Sequence, residues 1–319
     1  MSKIKRGNRI FFLDTLKGLL IIFVVIGHSP TVGLFTESLI TLIYCFHIPA
    51  FFVLSSLNIK PSLIDELKGI KQIVIIYLFW LFYSVLNNNS SLPNVLFYSN
   101  WHHLKNVLWF LPALITFKLH LSALTNNYIK WISLVLGVLT IINSDSVVSY
   151  VEIIPWGIHI AFYMTSCILI IRALSRELDF ISRFSSVKAT IILSIFFIVL
   201  LGIFITIESH VTRPYRNHFL DLAQFVVPSV FGYICLVLMM LTLVAFTKIS
   251  IKKNLLSYVG LNSMPIYLFH FFFISQISKY LSINNHIDWV ILITLTVAMC
   301  LLLSFLLKKA STNFKYLGF

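Results

Sequence analysis

Apolar residues recur along this chain in ten segments, at roughly 10–28, 38–57, 70–86, 104–118, 128–142, 153–171, 187–206, 222–247, 256–278 and 287–307. An apolar run of about 18 or more residues with few charges reads as a membrane-spanning helix. The pattern predicts an all-α, polytopic helix bundle of about ten transmembrane helices, with residues 1–319 forming a single integral membrane domain. The fourth and fifth segments are short. The polar stretches 87–103 and 207–221 are the main interruptions on one side. The first segment is too long for a typical signal-peptide core, and no small-residue cleavage site follows it. It therefore reads as a mature helix.

Composition agrees with a lipid environment. Hydrophobic residues make up 59% of the chain and charged residues 11%, with a mean hydropathy of +0.93. Soluble domains carry about 25% charged residues. A net charge of +13 would suit a nucleic-acid binder, but its distribution argues otherwise. With the N-terminus in the cytoplasm, the inner side collects Lys3, Lys5, Arg6, Arg9, Lys60, Lys68, Lys71, Lys118, Lys130, Arg172 and the later basic residues up to Lys315. The outer side holds only Lys105, Arg213, Arg216 and Lys279. Such asymmetry is the positive-inside signature. It predicts an even number of spans, both termini cytoplasmic and a multi-pass protein of the inner (plasma) membrane, with no nucleic-acid partner. Inner lysines can also attract an anionic cofactor or lipid headgroups. The four cysteines lie in or beside apolar segments without metal-ligand spacing, so they read as core filling and no metal is expected.

Polar residues inside the spans carry the chemistry, because ionisable groups in a membrane helix are costly and usually face a cavity or a substrate path. The first span, RIFFLDTLKGLLIIFVVIGHS, holds Asp14 and Lys17 near its inner end and His28 at its outer end. Eleven residues separate Lys17 from His28, a rise of roughly 16 Å that returns to nearly the same face. Asp14 is close enough in sequence to pair with Lys17. The second span adds His47 and Pro49 in YCFHIPAFFVLSS, with Ser55 and Ser56 at its inner end. The ninth adds Asn262, Ser263, Pro265 and His270 in YVGLNSMPIYLFH, where Asn262 and His270, about two turns apart, would share a face. The sixth opens with Glu152, Pro155 and His159, and the fourth holds Trp109 and Pro112. Prolines beside polar residues in four spans suggest broken helices around one cavity, a pattern that serves an enzyme or a transporter. Each residue alone has a plainer reading. Asp14 with Lys17 could be charge pairing at the interface, His28 a histidine wetted by headgroups, and His47 a structural group bonded to backbone freed by Pro49. His102 and His103 lie on an outer loop with no acidic partner nearby and read as surface. Phosphate loops, zinc patterns and a serine nucleophile elbow are all missing, so a histidine would have to activate a hydroxyl supplied by the acceptor.

These same residues resemble the acyltransferase 3 family of integral membrane proteins, closest to its fucose 4-O-acetylase-like, surface-polysaccharide O-acetyltransferase branch. The first-span block resembles that family's first helix, and FHIPAFF, WFLPAL, PWG and VGLNSMPIYLFH resemble later blocks in matching order across most of the chain. The resemblance implies an O-acetyltransferase that moves acetyl from cytoplasmic acetyl-CoA to a hydroxyl of an envelope or capsular glycan or its lipid-linked precursor. It implies a functional His28, with His47, Asp14, Asn262 and His270 in matching polar positions. The family commonly has Ser-Gly where this chain has Ser55 and Ser56, and arginines where it has Lys68 and Lys71. Lysines keep the charge but lose bidentate phosphate recognition.

The combined expectation is direct transfer through the bundle. Lys17, Lys68 and Lys71 would hold the phosphates of acetyl-CoA, and the pantetheine arm would carry the thioester toward His28 as general base. His47 or Asn262 would orient it or stabilise the oxyanion. The partners are acetyl-CoA, a carbohydrate or lipid-linked glycan, and membrane lipids, with a dimer left open. The competing reading is a transporter or flippase for a lipid-linked sugar. The outer residues Glu208, His210, Arg213, Arg216 and His218 could bind glycan or simply form a wetted loop.

Overall fold

A computed structural model describes residues 11–60, 62–88, 110–124, 126–142, 158–177 and 254–310. Every regular element among the described residues is α-helical: α1 (Phe11–Gly27), α2 (Gly33–Ser56), α3 (Leu63–Asn88), α4 (Phe110–Ala123), α5 (Asn127–Ile142), α6 (Ile158–Glu177), α7 (Leu255–Leu261), α8 (Ser263–Ile277) and α9 (His286–Ala310). The expected seventh and eighth spans, 187–206 and 222–247, lie outside the described residues. One helix among the described residues is long and apolar enough to cross a membrane by length and composition, His286–Leu307, 22 residues within α9. Shorter apolar helices run over Phe110–Ala123, Ala161–Ile170 and Ser263–Ile277.

Apolar burial joins the helices in two main groups. Leu16 and Leu20 of α1 pack with Phe52 and Val53 of α2, Phe117 of α4 and Met164 of α6. The opposite side of α1, through Ile21, Val24 and Val25, packs with Ile266 of α8 and Leu292 of α9. A helix apolar on two sides is buried on two sides, so α1 is the central element. A smaller cluster joins Ile76 and Leu81 of α3 to Leu111 of α4 and Leu268 of α8. Exposed Tyr128, Trp131, Ile132 and Val135 cover one side of α5.

Two local features shape this packing. The link from α1 to α2 turns through Gly33 at φ +75°, a left-handed value that only glycine adopts without cost, and Thr36 Oγ1 accepts from Val32 N at 2.6 Å. The expected ninth span is two helices, not one, broken at Asn262, which serves as C-cap of α7 and N-cap of α8. Pro265 sits in the first turn of α8, where its missing N–H breaks no helical bond. The break is held open by Asn262 itself. Its Nδ2 donates to the Tyr258 carbonyl at 2.8 Å, and its Oδ1 accepts from Ser304 Oγ of α9 at 2.9 Å.

The break lets α7 and α8 meet α1 separately. A Cβ on Gly260 would overlap the Asp14 carbonyl and lie 2.7 Å from Gly18 N. One on Gly18 would overlap the Leu256 carbonyl and lie 3.0 Å from Gly260 N. The two backbones cross in direct contact, as small residues allow between membrane helices. Thr15 Oγ1 adds a bond to Asn254 Oδ1, the N-cap of α7, at 3.3 Å.

Candidate functional site

Helix α1 ends at Gly27, and His28 follows with its N–H still bonded to the Val24 carbonyl at 3.1 Å, so the imidazole leaves the last turn in a defined direction. The next residue is clamped. Trp289 Nε1 of α9 donates to Ser29 Oγ at 2.8 Å, and Ser29 Oγ donates to the Ile26 carbonyl at 2.7 Å. Both Trp289 and Ser29 are buried.

Beyond the Asn262 break, α8 carries His270 to the same place. The His28 and His270 rings lie 5.2 Å apart between centroids, tilted by 34°. Phe271 packs against both, at 4.5 Å from His28 and 4.8 Å from His270. Contacts of Trp80 with Phe269 (5.4 Å) and of Phe110 with Tyr267 (5.6 Å) fix α8 against α3 and α4. His47 enters from α2, buried, and lies within electrostatic reach of both other histidines. Helices at opposite ends of the chain thus bring His28 and His270 together, with His47 on the helix that follows α1.

Two of the three imidazoles have a set tautomer. His47 Nδ1 lies 2.7 Å from the Ile43 carbonyl, and His270 Nδ1 lies 2.8 Å from the Tyr267 carbonyl and 3.1 Å from that of Ile266. A carbonyl oxygen only accepts, so each Nδ1 carries the hydrogen and each Nε2 presents a lone pair. His47 bonds the carbonyl four residues back, not the Cys45 carbonyl that Pro49 leaves without a donor. His270 Nε2 is buried and has no hydrogen-bond partner among the described residues.

Asn262 stands at the N-terminal end of α8, where its carbonyl accepts from Ile266 N at 3.2 Å, so it belongs to the helix that carries His270. Eight residues of chain place Asn262 roughly 12 Å from His270 along α8, engaged with Tyr258 and Ser304. Asp14 and Lys17 lie at the other end of α1. Asp14 is buried, Lys17 partly exposed, and both are engaged by neighbours. Lys68 and Lys71 are exposed on the first turns of α3, with Lys68 Nζ 3.9 Å from Asp65.

The sequence reading missed a buried ion pair. Lys118, expected at a loop, lies inside α4, because that helix runs to Ala123. Its Nζ sits 2.7 Å from Glu66 Oε1 of α3, with the Glu66 side chain 1% exposed. Lys60 N completes the carboxylate's bonding at 2.7 Å to Oε2. Neutralisation by Glu66 is what allows a lysine to extend an apolar helix. The signal available was a lone lysine followed by an apolar LHLSAL stretch. Nearby, Arg172 of α6 donates to the Ser56 carbonyl at 3.3 Å. Ser56 itself donates to the Val53 carbonyl of the preceding turn at 2.8 Å.

Pro112 occupies the first turn of α4 and keeps no helical bond from forming. Trp109, His102, His103, Glu152, Pro155, Glu208, His210, Arg213, Arg216 and His218 lie outside the described residues, as does the side chain of His159. No cluster of three or more His, Cys, Asp or Glu side chains able to hold a metal occurs among the described residues.

A family model described as an acyltransferase domain matches residues 10–308. Searches of curated proteins and of solved structures return no match.

Proposed function

The chain belongs to the acyltransferase 3 family, and from that premise we propose that it is a multi-pass membrane O-acetyltransferase using cytoplasmic acetyl-CoA and a glycan hydroxyl. Family membership supports acyl transfer from an acyl-CoA-type donor, and favours this over sugar transport. The observation that carries the finer reading is the approach of His28 and His270, from α1 and α8, to 5.2 Å between ring centroids. The proposed bundle has about ten spans in the inner (plasma) membrane, oriented by its basic inner loops. The glycan is an envelope or capsular chain or its lipid-linked precursor.

His28 is the general base in this proposal. It is partly exposed, whereas His47 and His270 are buried, so a hydroxyl reaches His28 first. A ring nitrogen of His28 takes the hydroxyl proton as the oxygen attacks the thioester carbonyl, and later returns it to the departing thiolate. The Nε2 of His47, an acceptor by its tautomer, orients the hydroxyl. Lys17 serves the phosphate end, helped by Lys68 and Lys71, whose exposed ammonium groups can swing toward an anion. The rise of roughly 16 Å from Lys17 to His28 suits a narrow pantetheine arm.

Transfer of labelled acetyl from acetyl-CoA to base-labile esters of envelope glycan tests this, comparing the native protein with His28→Ala at matched membrane levels. The expected result is transfer by the first and none by the second. Equal transfer by both removes His28 from the chemistry. No transfer by folded native protein with its acceptor present overturns the reading.

A further inference from the structure

His270 is buried in the middle of α8, and its ring has one nitrogen fully used and one not. Nδ1 spends its hydrogen on the Ile266 and Tyr267 carbonyls, so the ring cannot turn over without losing both bonds. Nε2 is left as a buried acceptor with no donor among the described residues. Leaving such a group unpaired is unfavourable. An apolar residue would fill this position at lower cost among the Phe271 and Tyr267 rings.

The nearest imidazole is His28. Two imidazoles joined by an N–H···N bond of roughly 3 Å have centroids about 5 Å apart once the ring radii are added. The observed separation is 5.2 Å, and the rings are 34° from parallel. A modest rotation about the His28 side-chain bonds would align a ring N–H with Nε2.

We infer that His270 is the positioning residue for His28: its Nε2 accepts the second ring hydrogen of His28 and supports the imidazolium that forms during transfer. This rests on the proposed acetyl transfer with His28 as base. The balance is complete without another reactant. The hydroxyl proton passes to one nitrogen of His28 as the acyl C–O bond forms, while the hydrogen on the other nitrogen stays shared with His270. The C–S bond then breaks, and the proton on His28 goes to the thiolate. The backbone-locked imidazole does what a carboxylate does in a serine-hydrolase triad, fixing tautomer and direction. Asp14 lies fourteen residues from His28 on α1, roughly 21 Å away, and cannot take that role.

Amide substitutions separate the two nitrogens. His270→Asn places an amide near Nδ1 and keeps the carbonyl bonds while deleting the Nε2 acceptor. His270→Gln restores an acceptor near Nε2. Native and variant proteins, full length in membranes and checked by thermal melting, would be compared for kcat and KM with labelled acetyl-CoA. The pairing predicts a fall in kcat of about 10²-fold or more for Asn, with KM nearly unchanged and Gln recovering at least about tenfold. Native kcat for a folded Asn variant overturns it, as does equal impairment of both. A rise in KM with kcat kept would make His270 a substrate contact and also overturns it. If Asn fails to fold, Gln decides alone: a folded Gln variant that has lost about 10²-fold or more in kcat overturns the pairing. Absence of transfer by folded native protein would instead overturn the acetyltransferase reading itself.

Discussion

Gly260→Ala places one methyl group where two backbones already touch. The added Cβ would overlap the Asp14 carbonyl and stand 2.7 Å from Gly18 N. Both are main-chain atoms of α1, so no side chain can rotate away. Ordinary contacts require about 3.5 Å; relieving the Gly18 N contact alone takes roughly 1 Å, and the Asp14 carbonyl overlap takes more. Overpacking costs about 1–3 kcal/mol, and this rigid contact belongs at the upper end. For a chain of this size, that is a loss of roughly 5–10 °C in melting temperature. Gly69→Ala is the control. Gly69 is exposed within α3, and the nearest atom to its Cβ is Glu66 Oε1 at 4.0 Å, so Ala should be neutral or gain up to about 1 kcal/mol of helix propensity. Melting followed by fluorescence-detected size-exclusion chromatography in detergent reads both. A Gly260→Ala protein melting within about 1 °C of native would refute the backbone contact, since overpacking cannot be absorbed for so little.

Other outcomes follow from the bonded pairs. Glu66→Gln or Lys118→Met alone leaves a buried charge without its partner and should cost about 3–5 kcal/mol, whereas Glu66→Leu with Lys118→Met should recover most of it; thermal melts of the three proteins check this cycle. Trp289→Phe keeps an aromatic ring but is smaller and removes the donor to Ser29, with an expected loss of about 1–3 kcal/mol and slower acetyl transfer through a freer His28. Asn262→Ala removes the bonds to Tyr258 and Ser304 and should destabilise by about 2 kcal/mol, whereas Ser304→Ala, which removes one, should cost less in the same melting assay.

Among the described residues, helix positions were readable because long apolar runs with few charges have few alternatives to a buried helix. Helix ends were not readable where a long-range partner changed the cost of a charge. Lys118 marks a boundary by its own hydration, and only Glu66, fifty-two residues earlier, explains why α4 continues past it. Proline was informative in the ninth span. Its presence suggested a broken helix, and α7 ends at Leu261, whose carbonyl Pro265 has no N–H to serve, while the Asn262 amide bonds to Tyr258 and Ser304 at the break. For the candidate site, a polar residue in an apolar run pointed to His28, His47 and His270 individually. Their meeting depends on α1, α2 and α8 packing together, and no local pattern encodes a 5.2 Å approach between residues 28 and 270. The locked tautomers were equally invisible, since they depend on ring rotation toward carbonyls of the preceding turn.

The bond from Trp289 to Ser29 spans 260 residues of sequence, and this bears on how the protein is made. At about 5–20 residues per second, ribosomes need roughly 15–50 s to synthesise the chain between the two residues. During that interval the bare backbone at Gly18 of α1 has no α7 to pack against. His28 and His270 meet only once α8 has been made, so a nascent chain stalled before α7 carries a first helix with that backbone uncovered. Cellular abundance will depend on how promptly the C-terminal helices close over α1.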